Sequence, residues 1–194
     1  MSTIAPGDAR RIAAGLARRG VAMLDAPVSG GAVGAEAGTL AILAGGEAAA
    51  LERVRPLFEV LGKTIVHVGA SGAGQVAKAC NQMVMVAAIE ACAEALHLVT
   101  GAGVDPARAR AAMLAGSAGS RVLEVFGGRM VDGNFAAGVE ARLHHKDFGI
   151  LLQEAREMGL AAPLAACVSQ QLNALVARGW GRDDTSRLLG VLAA

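Results

Sequence analysis

The sequence predicts a mainly α protein of the α+β class, with a small α/β unit over residues 1–70 and an all-helical unit over residues 71–194. Three observations lead there. Short apolar or β-branched runs bounded by glycine, the mark of strands, stop at Val68. Residues Gln75 to Thr100 contain neither Gly nor Pro and read as one helix of about 26 residues. From Gly101 onward every segment between breakers has helical character.

Each element has its own signal. Pro6, Gly7 and Asp8 mark a helix start, with Ser2 or Thr3 ahead of it, and Ala9 to Arg19 is a short amphipathic helix stopped by Gly20. "VAMLDAPV" (21–28) is a strand candidate that runs into Ser29-Gly30-Gly31, and a glycine-rich loop continues to Gly38. "TLAILAGG" (39–46) is a second strand. Glu47 to Leu61 is a helix with Leu51, Val54, Leu57 and Phe58 on one face, and "KTIVHVG" (63–69) is a third strand. The long helix from Gln75 is apolar on most sides and is expected to be central and buried. Helices follow at 106–115, 118–130, 139–158, 162–178 and 183–192, separated by Asp105-Pro106, Gly116, Gly133-Asn134, Gly159 with Pro163, and Gly179 to Gly181.

Composition narrows the function. Hydrophobic residues are 54% of the 194, enough for a sizeable core and too many for a disordered chain. With 18 basic and 17 acidic residues the net charge is +1, so no basic excess points to nucleic acid. One Trp, four Phe and no Tyr leave little material for base-stacking or sugar-binding platforms. Cys80, Cys92 and Cys167 are odd in number and far apart, with no CxxC, which reads as reduced thiols without a disulfide framework or a zinc site. The apolar stretch Met83 to Ile89 ends at Glu90, short of the roughly 20 residues that span a bilayer. No apolar signal segment follows Met1. The expectation is a cytoplasmic protein with no membrane and no nucleic-acid partner.

Three segments have the residues for chemistry. In "DAPVSGGAVGAEAG" (25–38), consecutive glycines let backbone N–H groups converge on a small anion, and Ser29 adds a donor for a carboxylate. The same residues also fit an ordinary strand–turn–strand connection. In "GASGAGQVAKACNQ" (69–82), the glycine spacing is that of a phosphate-binding loop, but Gln75 stands where that motif needs Lys. "GAGQVA" also fits a dinucleotide fingerprint, yet the acidic strand end that motif needs about 20 residues on falls in mid-helix. What remains is Lys78 with Asn81 and Gln82 at i+3 and i+4 on one helix face. A partly buried Lys among amides can serve as general acid/base, because burial lowers its pKa; it can equally sit on a solvated helix edge. In "LHHKDFG" (143–149), Lys146 and Asp147 interrupt an apolar run. A surface ion pair is one reading of them. Adjacent His144, His145 and Asp147 point different ways on a helix and do not suggest a metal site. The run "ARRIAAGLARR" reads as a solvated helix face, Met83, Met85 and Val86 as core, and Trp180 as an anchor in a turn.

The order of "DAPVSGGAVGAEAGTLAILAGG", "GAGQVAKACNQ" and "HHKDFG" resembles the β-hydroxyacid dehydrogenase family, of the 3-hydroxyisobutyrate dehydrogenase and tartronate semialdehyde reductase type. The resemblance covers nearly the whole chain, including the opening "MSTI". Asn81-Gln82 is closer to the tartronate semialdehyde reductase branch. The resemblance implies a C-terminal remnant of a Rossmann-like α/β domain, a long interdomain helix and an all-α domain that makes a homodimer or higher homo-oligomer. It implies NAD or NADP as cofactor and a small carboxylate as substrate. Lys78 would be the general acid/base; Ser29, Gly30 and Gly31 would hold the carboxylate, with Asn81 or Gln82 aligning the substrate. Ser2 and Thr3 would sit beside the nicotinamide half of the cofactor, with Lys146 near its ribose and Asp147 fixing Lys146. The family's glycine-rich loop after a first strand has no counterpart here, so about ninety residues of its cofactor domain are expected to be missing. Two further readings follow: a non-catalytic helical dimerisation and ligand-binding fragment that has lost cofactor binding, and an imine reductase-like relative. Such relatives often replace the helix lysine, so Lys78 argues against the last.

Overall fold

A computed structural model describes residues 1–193, which divide into two compact units: Met1–Asn81 with Gln153–Leu160, and Gln82–Leu152 with Ala161 onward. Two helices, α4 (Ala73–Gly101) and α7 (Ala141–Glu157), belong in part to each.

The first unit contains α1 (Pro6–Ala17), β1 (Val28–Ser29), α2 (Gly31–Glu36), β2 (Ala41–Gly45), α3 (Ala48–Leu61) and β3 (Thr64–Gly69). Pro6 opens α1, where its fixed φ suits a helix and its missing N–H costs nothing. The sheet order is β1-β2-β3. β1 runs antiparallel to β2, with Val28 opposite Ile42, and β2 runs parallel to β3, with Ile42 opposite Ile65. Ala26, Leu40 and Ile42 are buried at its centre, and Val28, Phe58 and Ile65 pack on them.

Two expectations change here. Most of 21–28 forms no strand: Asp25 makes one bridge to Gly45, and only Val28–Ser29 pairs regularly. The glycine-rich loop contains the short helix α2, because its alanines and Val33 permit a helix that positive-φ glycines bracket at Gly30, Gly31 and Gly38. Leu57, which shares an apolar face of α3 with the buried Leu51, is exposed. It lines an open apolar cavity of about 580 Å³ with Val21, Leu24, Val54 and Phe58.

The second unit has the rest of α4 and α7, with α5 (Pro106–Ala115), α6 (Arg121–Asp132), α8 (Pro163–Ala177) and α9 (Leu188–Leu192). Asp105 caps α5 by accepting from Ala107 N–H at 2.8 Å, and Ser120 caps α6 by accepting from Leu123 N–H at 3.1 Å. Val86, Ile89, Leu96, Phe148, Leu172, Leu175 and Leu188 are fully buried.

The expected helix 183–192 starts instead as a 3₁₀ turn, Thr185–Arg187, before α9, and another 3₁₀ turn, Trp180–Arg182, precedes it. The cause is Asp184, 1% exposed, whose carboxylate accepts from Gly138, Val139 and Ser186 backbone N–H groups and from the Ser186 hydroxyl. Trp180 lies under two guanidinium groups, Arg187 at 4.3 Å and Arg178 at 5.4 Å from its ring centre, and Arg187 also covers Phe135 at 4.6 Å.

α4 is less enclosed than its composition predicts. Val86, Ile89, Ala93 and Leu96 are buried, but Val84 is 67% and Leu98 74% exposed. The helix is long and apolar enough to cross a membrane, unlike the short run read from the sequence, because Glu90 does not interrupt it. Four of its polar residues, Gln75, Lys78, Gln82 and Glu90, are buried in the fold, while Glu94, His97 and Thr100 are exposed.

Candidate functional site

In the first unit the expected residues lie on three segments that meet at the start of α4. Asp25 is 4% exposed. Its Oδ1 accepts from Gly72 N–H at 2.7 Å and its Oδ2 from Gln75 N–H at 2.9 Å. A carboxylate there satisfies two of the helix's unpaired N–H groups and meets the positive end of its dipole. Glycine makes the approach possible. A Cβ on Gly74 would stand 2.4 Å from Leu43 O and 2.6 Å from Asp25 O.

Gln75, 3% exposed, reaches back to the N-terminal segment: Nε2 donates to Ser2 O at 3.0 Å and Oε1 accepts from Ile4 N–H at 3.1 Å. Lys78 follows one turn later on the same helix and is 9% exposed; Asn81 is half-buried. Four residues after Asp25, Ser29 ends β1 opposite Ala41. Gly30 at φ 136° and Gly31 at φ 63° then turn the chain into α2, in conformations that other residues rarely adopt.

The second unit holds another group. Gln82 Nε2 donates to Asp147 Oδ2 at 2.8 Å, and Lys146 Nζ lies 3.0 Å from Asp147 Oδ1. Oδ1 has no hydrogen bond of acceptable direction, so the Lys146 contact is an ion pair without one. Asp147 is 6% exposed and Lys146 about half, which replaces the expected surface ion pair with one whose acidic partner is buried. His144 Nδ1 meets Thr185 Oγ1 at 2.7 Å, and His145 Nε2 meets Asn173 Oδ1 at 2.7 Å, so the two histidines face different neighbours.

Asp25 and Gln75 lie outside the residues that the sequence singles out as a candidate site. Asp25 had a local signal, an acidic residue at the end of an apolar run. Gln75 had none, because its side-chain partners lie 71 and 73 residues away.

Comparison with known proteins matches both parts of the chain. Residues 72–192 match the family model described as NAD-binding of NADP-dependent 3-hydroxyisobutyrate dehydrogenase, and residues 1–69 match the NAD binding domain of 6-phosphogluconate dehydrogenase. The 2-hydroxy-3-oxopropionate reductase of Escherichia coli (strain K12) is 44% identical over 192 residues, covering 99% of this chain and 66% of the relative. The NAD-dependent L-serine dehydrogenase of Pseudomonas aeruginosa is 40% identical, over 95% of this chain and 64% of the relative. The solved structure of Mycobacterium tuberculosis 3-hydroxyisobutyrate dehydrogenase with L-serine superposes with a TM-score of 0.92 at 32% identity, over 100% of this chain and 68% of that one. The chain thus spans about two thirds of the length of the curated relatives it matches. With both its parts matched in order by these models and with relatives of this identity, the chain belongs to the β-hydroxyacid dehydrogenase family.

Proposed function

We propose that this chain provides the substrate loop and acid/base lysine of an NAD(P)-dependent dehydrogenase acting on small β-hydroxyacids or their semialdehydes. The observation that carries the reading is Lys78, a buried lysine one turn into a helix whose start is tied to the Ser29-Gly30-Gly31 segment through Asp25. The two family models support residues 1–70 as a Rossmann-like cofactor-binding part and 71–194 as a helical part.

When bound, the nicotinamide supplies or accepts the hydride. The hydroxyls of Ser2 and Thr3 and the ammonium of Lys146 suit the ribose and carboxamide end of such a nucleotide, which presents hydroxyl and amide groups. Backbone N–H groups at Gly30 and Gly31, with the Ser29 hydroxyl, hold the substrate carboxylate and fix its orientation. Lys78 exchanges a proton with the substrate oxygen: it accepts the hydroxyl proton as the alcohol is oxidised and returns it to the carbonyl oxygen in reduction. Asn81 and Gln82 align the substrate, and Asp147 holds Lys146.

The helical unit is also proposed as the self-association surface of a soluble, cytoplasmic homodimer or larger homo-oligomer. Val84, Ala91 and Leu98 follow one another at seven-residue steps on α4 and are exposed, a spacing that puts apolar side chains on one helix face. Glutamate at both Val84 and Leu98 is expected to convert the assembly to monomers in light scattering.

The test of the main reading is a titration of the 194-residue chain with NADH and NADPH, followed by nicotinamide fluorescence, together with turnover of β-hydroxyacids. Saturable binding, and turnover that Lys78→Ala abolishes, are expected. A folded chain that binds neither nucleotide would instead fit a non-catalytic ligand-binding module.

A further inference from the structure

The junction at the start of α4 joins three stretches of chain that are far apart in sequence. Asp25 accepts from the backbone of Gly72 and Gln75, and its own N–H and carbonyl exchange hydrogen bonds with Gly45 at 3.0 and 2.8 Å. Gln75 spends both ends of its amide on the backbone of residues 2–4. One end faces a carbonyl and the other an N–H, so only one orientation of the amide satisfies both. Both side chains are more than nine-tenths buried, and a buried polar group left unpaired is costly. The arrangement therefore has one low-energy register. In it, Ser2 and Thr3 are fastened through Gln75 to the helix that carries Lys78, and the Asp25–Ser29 stretch is fastened to the same turn.

We propose that Gln75, with its backbone held by Asp25, is a positioning residue that registers the cofactor-facing segment Ser2–Ile4 against Lys78. The inference rests on the reading of Ser2 and Thr3 as nicotinamide-side residues and of Lys78 as the acid/base. Gln75 takes no part in the proton transfer itself; it sets where the cofactor stands relative to the lysine.

Gln75→Met keeps the length and volume of the side chain and removes both hydrogen bonds. Gln75→Glu keeps the acceptor for Ile4 N–H, loses the donor to Ser2 O, and serves as the second variant if the first fails to fold. The readouts are the NADH and NADPH dissociation constants from fluorescence, the Michaelis constants for cofactor and for substrate, and amide hydrogen exchange over residues 2–4. We expect Gln75→Met to weaken nucleotide binding by about ten-fold or more, with Gln75→Glu between it and the wild type. The substrate constant should stay within about two-fold, and Ile4 exchange should quicken. A merely structural role would lower the amount of folded protein and leave both Michaelis constants where they were, which overturns the inference. So does a folded Gln75→Met chain with wild-type nucleotide affinity. If Lys78→Ala retains full turnover, the acid/base reading fails on its own, whatever Gln75 does. If the wild-type chain binds neither nucleotide, the cofactor reading and this inference fall together, and that case is recognised because the wild type, not the variant, fails.

Discussion

Gln82 and Asp147 form a buried amide–carboxylate pair between α4 and α7, with Nε2 of the first 2.8 Å from Oδ2 of the second. Asp147 has Lys146 on its other oxygen, and Lys146 is about half exposed. The amide is thus the enclosed partner of the carboxylate. Gln82→Leu should destabilise the helical unit by about 1–3 kcal/mol, the cost of an unsatisfied buried acceptor. Urea denaturation of the variant measures it. Asp147→Leu together with Gln82→Leu should recover part of the loss, since the buried carboxylate oxygen that the amide served is then gone.

Glu90 sets a pH dependence. It is 5% exposed, neither carboxyl oxygen has a hydrogen-bond partner, and burial first, then the charge of Glu94, raise its pKa from the ordinary 4.5 to about 7. An acid whose pKa rises on folding stays protonated in the native chain while the unfolded chain ionises it. Its contribution is therefore greatest below pH 4.5 and is lost as pH climbs to about 7, a total of about 3 kcal/mol at most. Glu90→Leu should raise the melting temperature at about pH 8 much more than at about pH 5. Equal shifts at both would refute this account.

Gly74 has no room for a side chain. A Cβ there would meet Leu43 O at 2.4 Å and Asp25 O at 2.6 Å, both backbone atoms of the β2 region and of the segment that caps α4. Gly74→Ala should cost roughly 3 kcal/mol or more, because neither neighbour can rotate away. Calorimetry of the purified variant is the direct measurement. Gly31→Ala makes a useful contrast: a Cβ there has open space, and only the backbone conformation at φ 63° opposes it, so about 1–2 kcal/mol is expected.

Lys78→Ala should lower turnover by about 10²–10⁴-fold, the usual loss on removing a general acid/base. Circular dichroism should show a folded chain. A rise in the substrate Michaelis constant with unchanged turnover would reassign Lys78 to binding.

The elements legible in the sequence are those whose signals are local. The β-branched run at 64–68 is a strand, and the Asp105-Pro106 breaker does precede a helix. Ser29-Gly30-Gly31 was legible as a turn because glycine is the residue that tolerates its φ values. What was hidden depends on distant partners. Asp184 breaks the last helix by binding backbone 45 and 46 residues earlier, which no local pattern encodes. Residues 21–27 have strand composition but find only one bridge, because Pro27, whose carbonyl accepts from Leu43 N–H, has no N–H to return the hydrogen bond. The exposure of α4 was misjudged because apolar residues on both faces do not say which face is covered.

The stacking of Arg178 and Arg187 on Trp180 has an optical consequence. This is the chain's single tryptophan, and there is no tyrosine, so its ultraviolet emission comes almost wholly from one indole. That indole has both guanidinium groups within about 5.4 Å of its ring centre and stands beside the 3₁₀ turn that Asp184 anchors. Any event that loosens the C-terminal end of the helical unit will change its colour and brightness, so the protein carries its own label-free reporter of that region.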